Sequence, residues 1–316
     1  MKVAVLKGGS SLERGVSLRS AARVEDALGE LGHDAIAIDV GRDLVARLRA
    51  ERPDVVFIAL HGPGGEDGTV QELLEILDLP YTGPGVAACA LCMDKIAAKH
   101  EIRAAGLPTP DWAAFNATAF RELGAADTLE EIEERLGFPL VVKPASQGSS
   151  LGVEFASDRD EVPQALLAAF SYDDRVLLER YVKGRELAVS MLGAETLPVV
   201  EAIPREEDFF NFEARYEIGR TEYVCPAALS EQETQHVQGL ATETYETLGC
   251  SGFARVDLIL GEDGPQVLEV NAIPGLTDTS LFPMAAEAAG IDFVQLVERM
   301  LASARERPAN EATLPA

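Results

Sequence analysis

Long apolar runs are missing from this chain: none reaches the roughly 18 residues that a bilayer span requires. Met1 and Lys2 lead straight into the strand-like run Val3 to Leu6, so no signal peptide is expected, and the cytoplasm is the expected compartment. Basic charge is scarce. Lysine and arginine total 27 against 53 aspartates and glutamates, a formal net charge of −26, which leaves no basic footprint for nucleic acid and no attraction to an anionic membrane surface. Four cysteines are few for 316 residues, so a disulfide framework is not needed and a reducing environment is the simpler reading. Cys89 and Cys92 have C-x-x-C spacing, but they sit in the apolar helical stretch Val86 to Met93 with no second pair nearby, so they read as packing, as do Cys225 and Cys250. The P-loop pattern G-x-x-x-x-G-K-[ST] is also absent. Gly83-Pro84-Gly85-Val86-Ala87-Ala88 fits only the loosest dinucleotide pattern, without a clear strand before it or an acidic strand end after it, and reads as a turn into a helix.

What remains is a chain with 47% hydrophobic residues, long enough for two or three compact modules. The reading is an α/β protein of three modules at 1–93, 94–183 and 184–316, the first a Rossmann-like parallel-sheet domain. Val3 to Leu6, Ala35 to Ile38 and Val55 to Ala59 read as buried parallel strands separated by amphipathic helices. Their carboxyl ends carry the loops Lys7 to Glu13 and His61 to Gly68, where ligands bind in doubly wound sheets. A helix is expected from about Asp94 to Ala105, ending before Gly106-Leu107-Pro108-Thr109-Pro110. The middle module is expected to hold strands at Pro139 to Lys143 and Val176 to Glu179, with a helix around Glu161 to Phe170. The last should hold strands at Ala188 to Leu192, Leu197 to Ile203, Ala254 to Leu260 and Gln266 to Val270, and helices near Glu231 to Leu248 and Phe293 to Ala304. Arg205 to Glu222 lacks periodicity and reads as a lid.

The chemistry concentrates near the carboxyl end. Arg255 and Asp257 lie in one expected strand, and Glu269 and Asn271 in the next. Period-two alternation points each pair to one face, which assembles two carboxylates and an amide. Hard oxygen donors of this kind suit Mg²⁺, which favours carboxylates together with substrate phosphates. The turn at Ile273-Pro274-Gly275 can aim backbone N–H groups at an anionic oxygen, with Arg255 near. In the middle module Lys143 ends an apolar strand and is followed by Pro144-Ala145-Ser146-Gln147-Gly148-Ser149-Ser150-Leu151-Gly152. Backbone N–H groups of such a loop can approach phosphates closely. Glu179-Arg180-Tyr181-Val182 reads as a connector whose backbone can pair with a purine edge, and Glu186 as an acceptor for ribose hydroxyls.

Together with Gly8 to Arg14, His61 to Thr69 and Met93-Asp94-Lys95, these motifs resemble the ATP-grasp superfamily and, within it, the D-alanine:D-alanine ligases. The resemblance runs from the first strand to about Leu301. It implies an ATP-grasp architecture with ATP between the middle and last modules, and Lys95 and Lys143 on its phosphates. Ser146, Gly148, Ser150, Glu179, Arg180, Tyr181, Val182, Glu186 and Arg215 would complete the nucleotide site. Two magnesium ions, or manganese in their place, would be held at Asp257, Glu269 and Asn271. The implied reaction passes the γ-phosphoryl group to a first D-alanine and joins the resulting acyl phosphate to a second. Arg255 and Gly275 would be the oxyanion donors. Glu13 and His61 would meet the first substrate, and Ser280 with the Leu281 N–H the carboxylate of the second. Tyr216 on the lid would link to Ser149 and Glu13. A homodimer is also implied. Arg215 and Arg180 stand where lysine is common, Ala145 where serine is frequent and Gly15 where an acid is frequent; none removes a reacting group. Two alternatives remain: a D-alanine:D-lactate ligase, which the lid tyrosine disfavours, and a regulator that binds nucleotide without turnover.

Overall fold

The computed structural model describes residues 1–124, 128–204 and 221–306. It begins with β1 (Lys2–Lys7), α1 (Arg14–Glu30), β2 (Asp34–Asp39), α2 (Leu44–Glu51) and β3 (Val55–Ile58), followed by α3 (Thr69–Ile76), α4 (Val86–Met93) and α5 (Lys95–Ala104). The three strands form a parallel sheet in the order β2-β1-β3. Val3 to Leu6 in the central strand are fully buried, as expected where helices cover both faces of a parallel sheet. The helix α1 buries Ser17, Ser20, Ala21, Val24, Ala27 and Leu28, a stripe at helical spacing that includes two serines.

The middle segment contains β4 (Trp112–Asn116), α6 (Ala117–Glu122), α7 (Leu129–Leu136), β5 (Leu140–Pro144), β6 (Glu154–Ala156), α8 (Val162–Phe170) and β7 (Arg175–Arg180). Its antiparallel sheet has the order β4-β7-β5-β6. The strand β4 was not anticipated. Its alanines give little alternation, and its place is set by the partner β7, more than 60 residues onward, with Trp112 opposite Glu179.

The rest comprises β8 (Gly184–Leu192), β9 (Glu195–Thr196), β10 (Val200–Pro204), β11 (Thr221–Val224), α9 (Glu231–Thr247), β12 (Phe253–Gly261), β13 (Gly264–Asn271), α10 (Leu281–Ala288) and α11 (Phe293–Glu306). The sheet order is β11-β10-β8-β12-β13, with β9 paired to β8. A capping box between Ser230 and Glu233 starts α9. Two expectations shift. The strand expected from Leu197 begins only at Val200, because the Leu197 N–H turns to the Ser190 carbonyl and Pro198 has no N–H to give the ladder. The last two residues of the expected lid, Thr221 and Glu222, pair in β11 with Pro204 and Ile203, and 205–220 lie outside the described residues.

Two hydrophobic cores result among the described residues. The middle segment has its own, built on residues such as Phe115, Leu140, Val142, Leu166, Val176 and Leu178. The first and last segments share a continuous core, which runs from Val3 and Phe57 through Tyr81 and Ile102 to Phe253, Phe282 and Met300. The site described next lies where the independent middle unit faces this joint body.

Candidate active site

The antiparallel register of β12 and β13 sets Arg255 opposite Asn271 and Asp257 opposite Glu269. Alternation turns all four toward one face, and a register shift after Asp257 marks a bulge beside the group. The Arg255 guanidinium donates to both Asp257 oxygens at 2.7 Å. Burial lowers its pKa, but the neighbouring Asp257 outweighs this and holds the guanidinium above its ordinary range. Each Asp257 oxygen retains a further acceptor position, and Arg255 retains N–H donors. Next to them the Asn271 Oδ1 is buried without a hydrogen-bond partner among the described residues. An orphaned amide oxygen beside two carboxylates fits a hard cation. No group of three His, Cys, Asp or Glu side chains gathers among the described residues, and Mg²⁺ at such a two-carboxylate site would keep water and take up substrate phosphate oxygens.

Lys95 reaches this face because Asp94 caps α5, accepting the N–H groups of Ile96 and Ala97 at 3.1 Å. The second Asp94 oxygen accepts from Arg175 at 2.6 Å, tying the cap to β7. The Lys95 ammonium pairs with Glu269 at 3.1 Å and donates to the Gln147 carbonyl at 2.6 Å, bridging the metal-type strand and the glycine-serine loop. Burial works against the charge of Glu269, yet Lys95 and Lys143 hold it below its ordinary range. In the loop Ser149 and Ser150 have φ of 46° and 58°, the left-handed region that serine enters only under constraint. This conformation brings the Ser149 hydroxyl onto Glu13 Oε1. Gly148 permits the approach, since a Cβ there would stand 2.8 Å from Glu13 Oε2. Burial, then Glu66, push the Glu13 carboxyl above its ordinary range.

His61 is 4% exposed. Its Nδ1 lies 3.0 Å from the Ile273 carbonyl and 3.2 Å from Glu66, both acceptors, so Nδ1 carries the proton. Nε2 then accepts from the Ser20 hydroxyl at 3.0 Å, and the Ser20 oxygen in turn accepts the Leu276 N–H at 3.1 Å. This chain clamps the Gly275 turn to α1. Ser280 precedes α10 and does not cap it; its hydroxyl accepts from the Thr277 N–H at 3.0 Å instead. The Leu281 N–H stands in the first turn of that helix, where the dipole favours a carboxylate.

Two cavities flank this arrangement. One is lined by Lys143, Ser150, Glu179, Arg180, Tyr181, Val182 and Glu186, with apolar walls from Val141, Phe155, Leu258 and Leu268. The other is lined by Glu13, His61, Glu66, Gly148, Ser149, Asn271, Gly275 and Ser280. Lys95, Ser150, Arg255, Asp257, Glu269 and Leu281 line both, so the cavities meet at the carboxylate cluster.

Not every expected residue joins them. Ser146 lines neither cavity, and its N–H is taken by Asp173 at 2.7 Å, which commits the start of the loop to its own module. Arg180 lines the first cavity, but its guanidinium donates to the Arg135 carbonyl at 3.0 Å and lies 3.6 Å from Asp111. Tyr216 and Arg215 fall outside the described residues. Ser20, Glu66 and Tyr223 were not anticipated. Glu66 had one available signal, a carboxylate in the glycine-rich His61 to Gly68 loop, whereas Ser20 had none beyond being polar on an apolar helix face. Cys92 lines the second cavity and its Sγ lies 3.6 Å from that of Cys250; both are free thiols.

The family model described as D-ala D-ala ligase C-terminus matches residues 102–302, and that described as D-ala D-ala ligase N-terminus matches residues 41–84. The D-alanine–D-alanine ligase of Synechococcus sp. (strain JA-3-3Ab) is 45% identical over 319 residues, covering 100% of this chain and 97% of its own. Among solved structures, the D-alanine–D-alanine ligase from Bacillus anthracis superposes with a TM-score of 0.86 at 34% identity, covering 96% of this chain and 97% of that one. The Bacillus anthracis enzyme complexed with ATP gives 0.83 at 32% identity with the same coverage. With one family model spanning well over half of its length and full-length relatives at this identity, the chain belongs to the D-alanine–D-alanine ligase family.

Proposed function

We propose that the protein joins two D-alanine molecules into D-alanyl-D-alanine for peptidoglycan precursor synthesis, converting ATP to ADP and phosphate. The observation that carries this reading is the shared wall of the two cavities. A nucleotide in one and an amino acid in the other would meet at Lys95, Arg255, Asp257 and Glu269.

In this reading the purine rests along Glu179 to Val182, Glu186 accepts from the ribose, and Lys95 and Lys143 attend the phosphates with the Gly148 to Ser150 loop. Asp257, Glu269 and Asn271 would hold two magnesium ions, or manganese in their place. When bound, the ions would neutralise phosphate charge and polarise the group in transfer. Glu13, oriented by Ser149, takes the ammonium of the first D-alanine, and His61 supports the same pocket. The carboxylate of that D-alanine attacks the γ-phosphorus, giving an acyl phosphate and ADP. The Ser280 and Leu281 corner holds the carboxylate of the second D-alanine, whose deprotonated amine attacks the acyl carbon. Negative charge gathers on the former carbonyl oxygen, where Arg255 and the Gly275 N–H stabilise it until phosphate leaves. Tyr216 and Arg215 belong to the segment proposed to close over the site and keep water from the acyl phosphate. The proposal extends to three modules at 1–93, 94–183 and 184–316, a homodimer, and a cytoplasmic location.

The test is phosphate release from the purified protein with ATP and magnesium, offering D-alanine, L-alanine, or D-alanine with D-lactate, and identifying the product by mass. D-Alanyl-D-alanine is expected. A depsipeptide as the main product, or nucleotide binding without D-alanine-dependent release, would overturn the reading.

A further inference from the structure

Three of the six lysines in the chain, Lys95, Lys99 and Lys143, are buried, and the reaction just described uses only two. Lys99 is 1% exposed and lines neither cavity. Its ammonium forms an ion pair with Glu179 Oε2 at 2.6 Å and donates to Thr109 Oγ1 at 2.5 Å and the Pro110 carbonyl at 3.3 Å. The other Glu179 oxygen accepts from Lys143 at 2.8 Å. Glu179 is itself 2% exposed. One carboxylate thus bridges two buried ammonium groups, and of the two lysines only Lys143 lines the nucleotide cavity.

The charge balance gives the arrangement its meaning. A buried carboxylate paired with one lysine cancels that lysine's field, and a lysine so cancelled has little to offer a phosphate. Adding a second ammonium on the far side leaves the three groups with a net charge of +1. We propose that Lys99 is a positioning residue for ATP: it holds the Glu179 carboxylate from behind, so that Lys143 keeps a fixed direction and uncompensated positive charge toward the phosphates. The inference rests on the placement of Lys143 against phosphate in the preceding section. Thr109 extends the hold, since its hydroxyl donates to the Val267 carbonyl at 2.8 Å in β13, the strand that carries Glu269 and Asn271.

A pH dependence follows. Burial, opposed by Glu179 and aided by Lys143 and Arg103, lowers the Lys99 ammonium to about 8. The charged groups facing it are Glu179 from β7, Lys143 from β5, and Arg103 from its own helix, itself paired with Asp111 at 2.8 Å. Below about pH 8 Lys99 is charged and the net positive charge stands. As the pH rises through that value the set becomes a neutral Lys143 and Glu179 pair, and the hold on ATP weakens.

The experiment measures KM for ATP, KM for D-alanine and kcat on the full chain between about pH 6.5 and 9.5. It compares wild type with Lys99→Met, Lys99→Arg, Lys143→Met and the double variant Lys99→Met with Glu179→Gln. Lys99→Met is expected to raise KM for ATP about tenfold, the scale of a lost charge-assisted contact, with KM for D-alanine within about twofold. Adding Glu179→Gln should recover most of that loss, because it frees Lys143 again and leaves unchanged the 179–182 backbone that meets the purine. Lys99→Arg should keep its ATP affinity at the alkaline end, where wild type loses it, because arginine stays charged. A merely structural lysine predicts the opposite for the double variant, a loss as large or larger, and that result overturns the proposal. A normal loss in Lys143→Met beside an unchanged Lys99→Met sinks this inference alone. An unchanged Lys143→Met removes the phosphate assignment and the inference together. If Lys99→Met does not fold, the wild-type and Lys99→Arg pH profiles decide, and parallel profiles overturn the proposal.

Discussion

Replacing Ser20 with alanine removes one hydroxyl that serves two neighbours far apart in sequence. The oxygen accepts the Leu276 N–H at 3.1 Å, and the hydrogen goes to His61 Nε2 at 3.0 Å. Ser20 is fully buried, so water does not readily take its place. Each buried polar group left without its partner costs about 1–3 kcal/mol, so the two together should cost about 2–4 kcal/mol once some relaxation is allowed. For a protein of this size that lowers the melting midpoint by roughly 3–6 °C. The loss also has a kinetic signature. His61 and the Gly275 turn belong to the amino-acid cavity, so KM for D-alanine should rise several-fold while KM for ATP holds. The contrast is Ser17→Ala, because the Ser17 hydroxyl joins Gly8 and Ala59 within the first module only. It should destabilise comparably with a smaller effect on D-alanine. Thermal melts and initial rates on the two variants provide the comparison. A Ser20→Ala protein with wild-type melting and wild-type D-alanine KM would refute the clamp.

Asn271→Leu should leave the metal-free protein as stable as wild type or more so, because it removes an orphaned buried oxygen, yet magnesium-dependent turnover should fall by at least about tenfold. Melting curves without metal and magnesium titrations of the rate check both halves. Glu13 has its pKa raised by burial and then by Glu66, so it is protonated and uncharged below that raised value. kcat/KM for D-alanine should therefore fall as the pH drops through it, and Glu66→Gln should move this acid limb to lower pH. A limb at the same pH in both proteins would contradict the assignment. Gly148→Ala places a Cβ 2.8 Å from Glu13 Oε2, and should raise KM for D-alanine more than KM for ATP in initial-rate measurements.

The carboxylate cluster could be read from the chain because its rule is local. Residues two apart in a strand share a face, so Arg255 with Asp257, and Glu269 with Asn271, had to project together wherever the strands went. Lys143 was visible for a similar reason, as a charge ending an apolar strand. No such local rule covers Ser146, which the resemblance alone assigned to the nucleotide site and whose N–H is taken by Asp173, 27 residues onward. It also passed over β4, whose alanines carry no pattern of their own.

Sequence alone thus determined the α/β class, the faces on which the reactive side chains lie and the family resemblance, because alternation and turn chemistry act between near neighbours. Tertiary structure alone decided the pairings. Ser20 clamps Leu276 across 256 positions, and Glu179 lies between Lys99 and Lys143, where two ammonium groups hold one buried carboxylate. These depend on distances between elements that packing sets, and in a low-dielectric interior a few ångströms decide which charges cancel and which remain for the nucleotide.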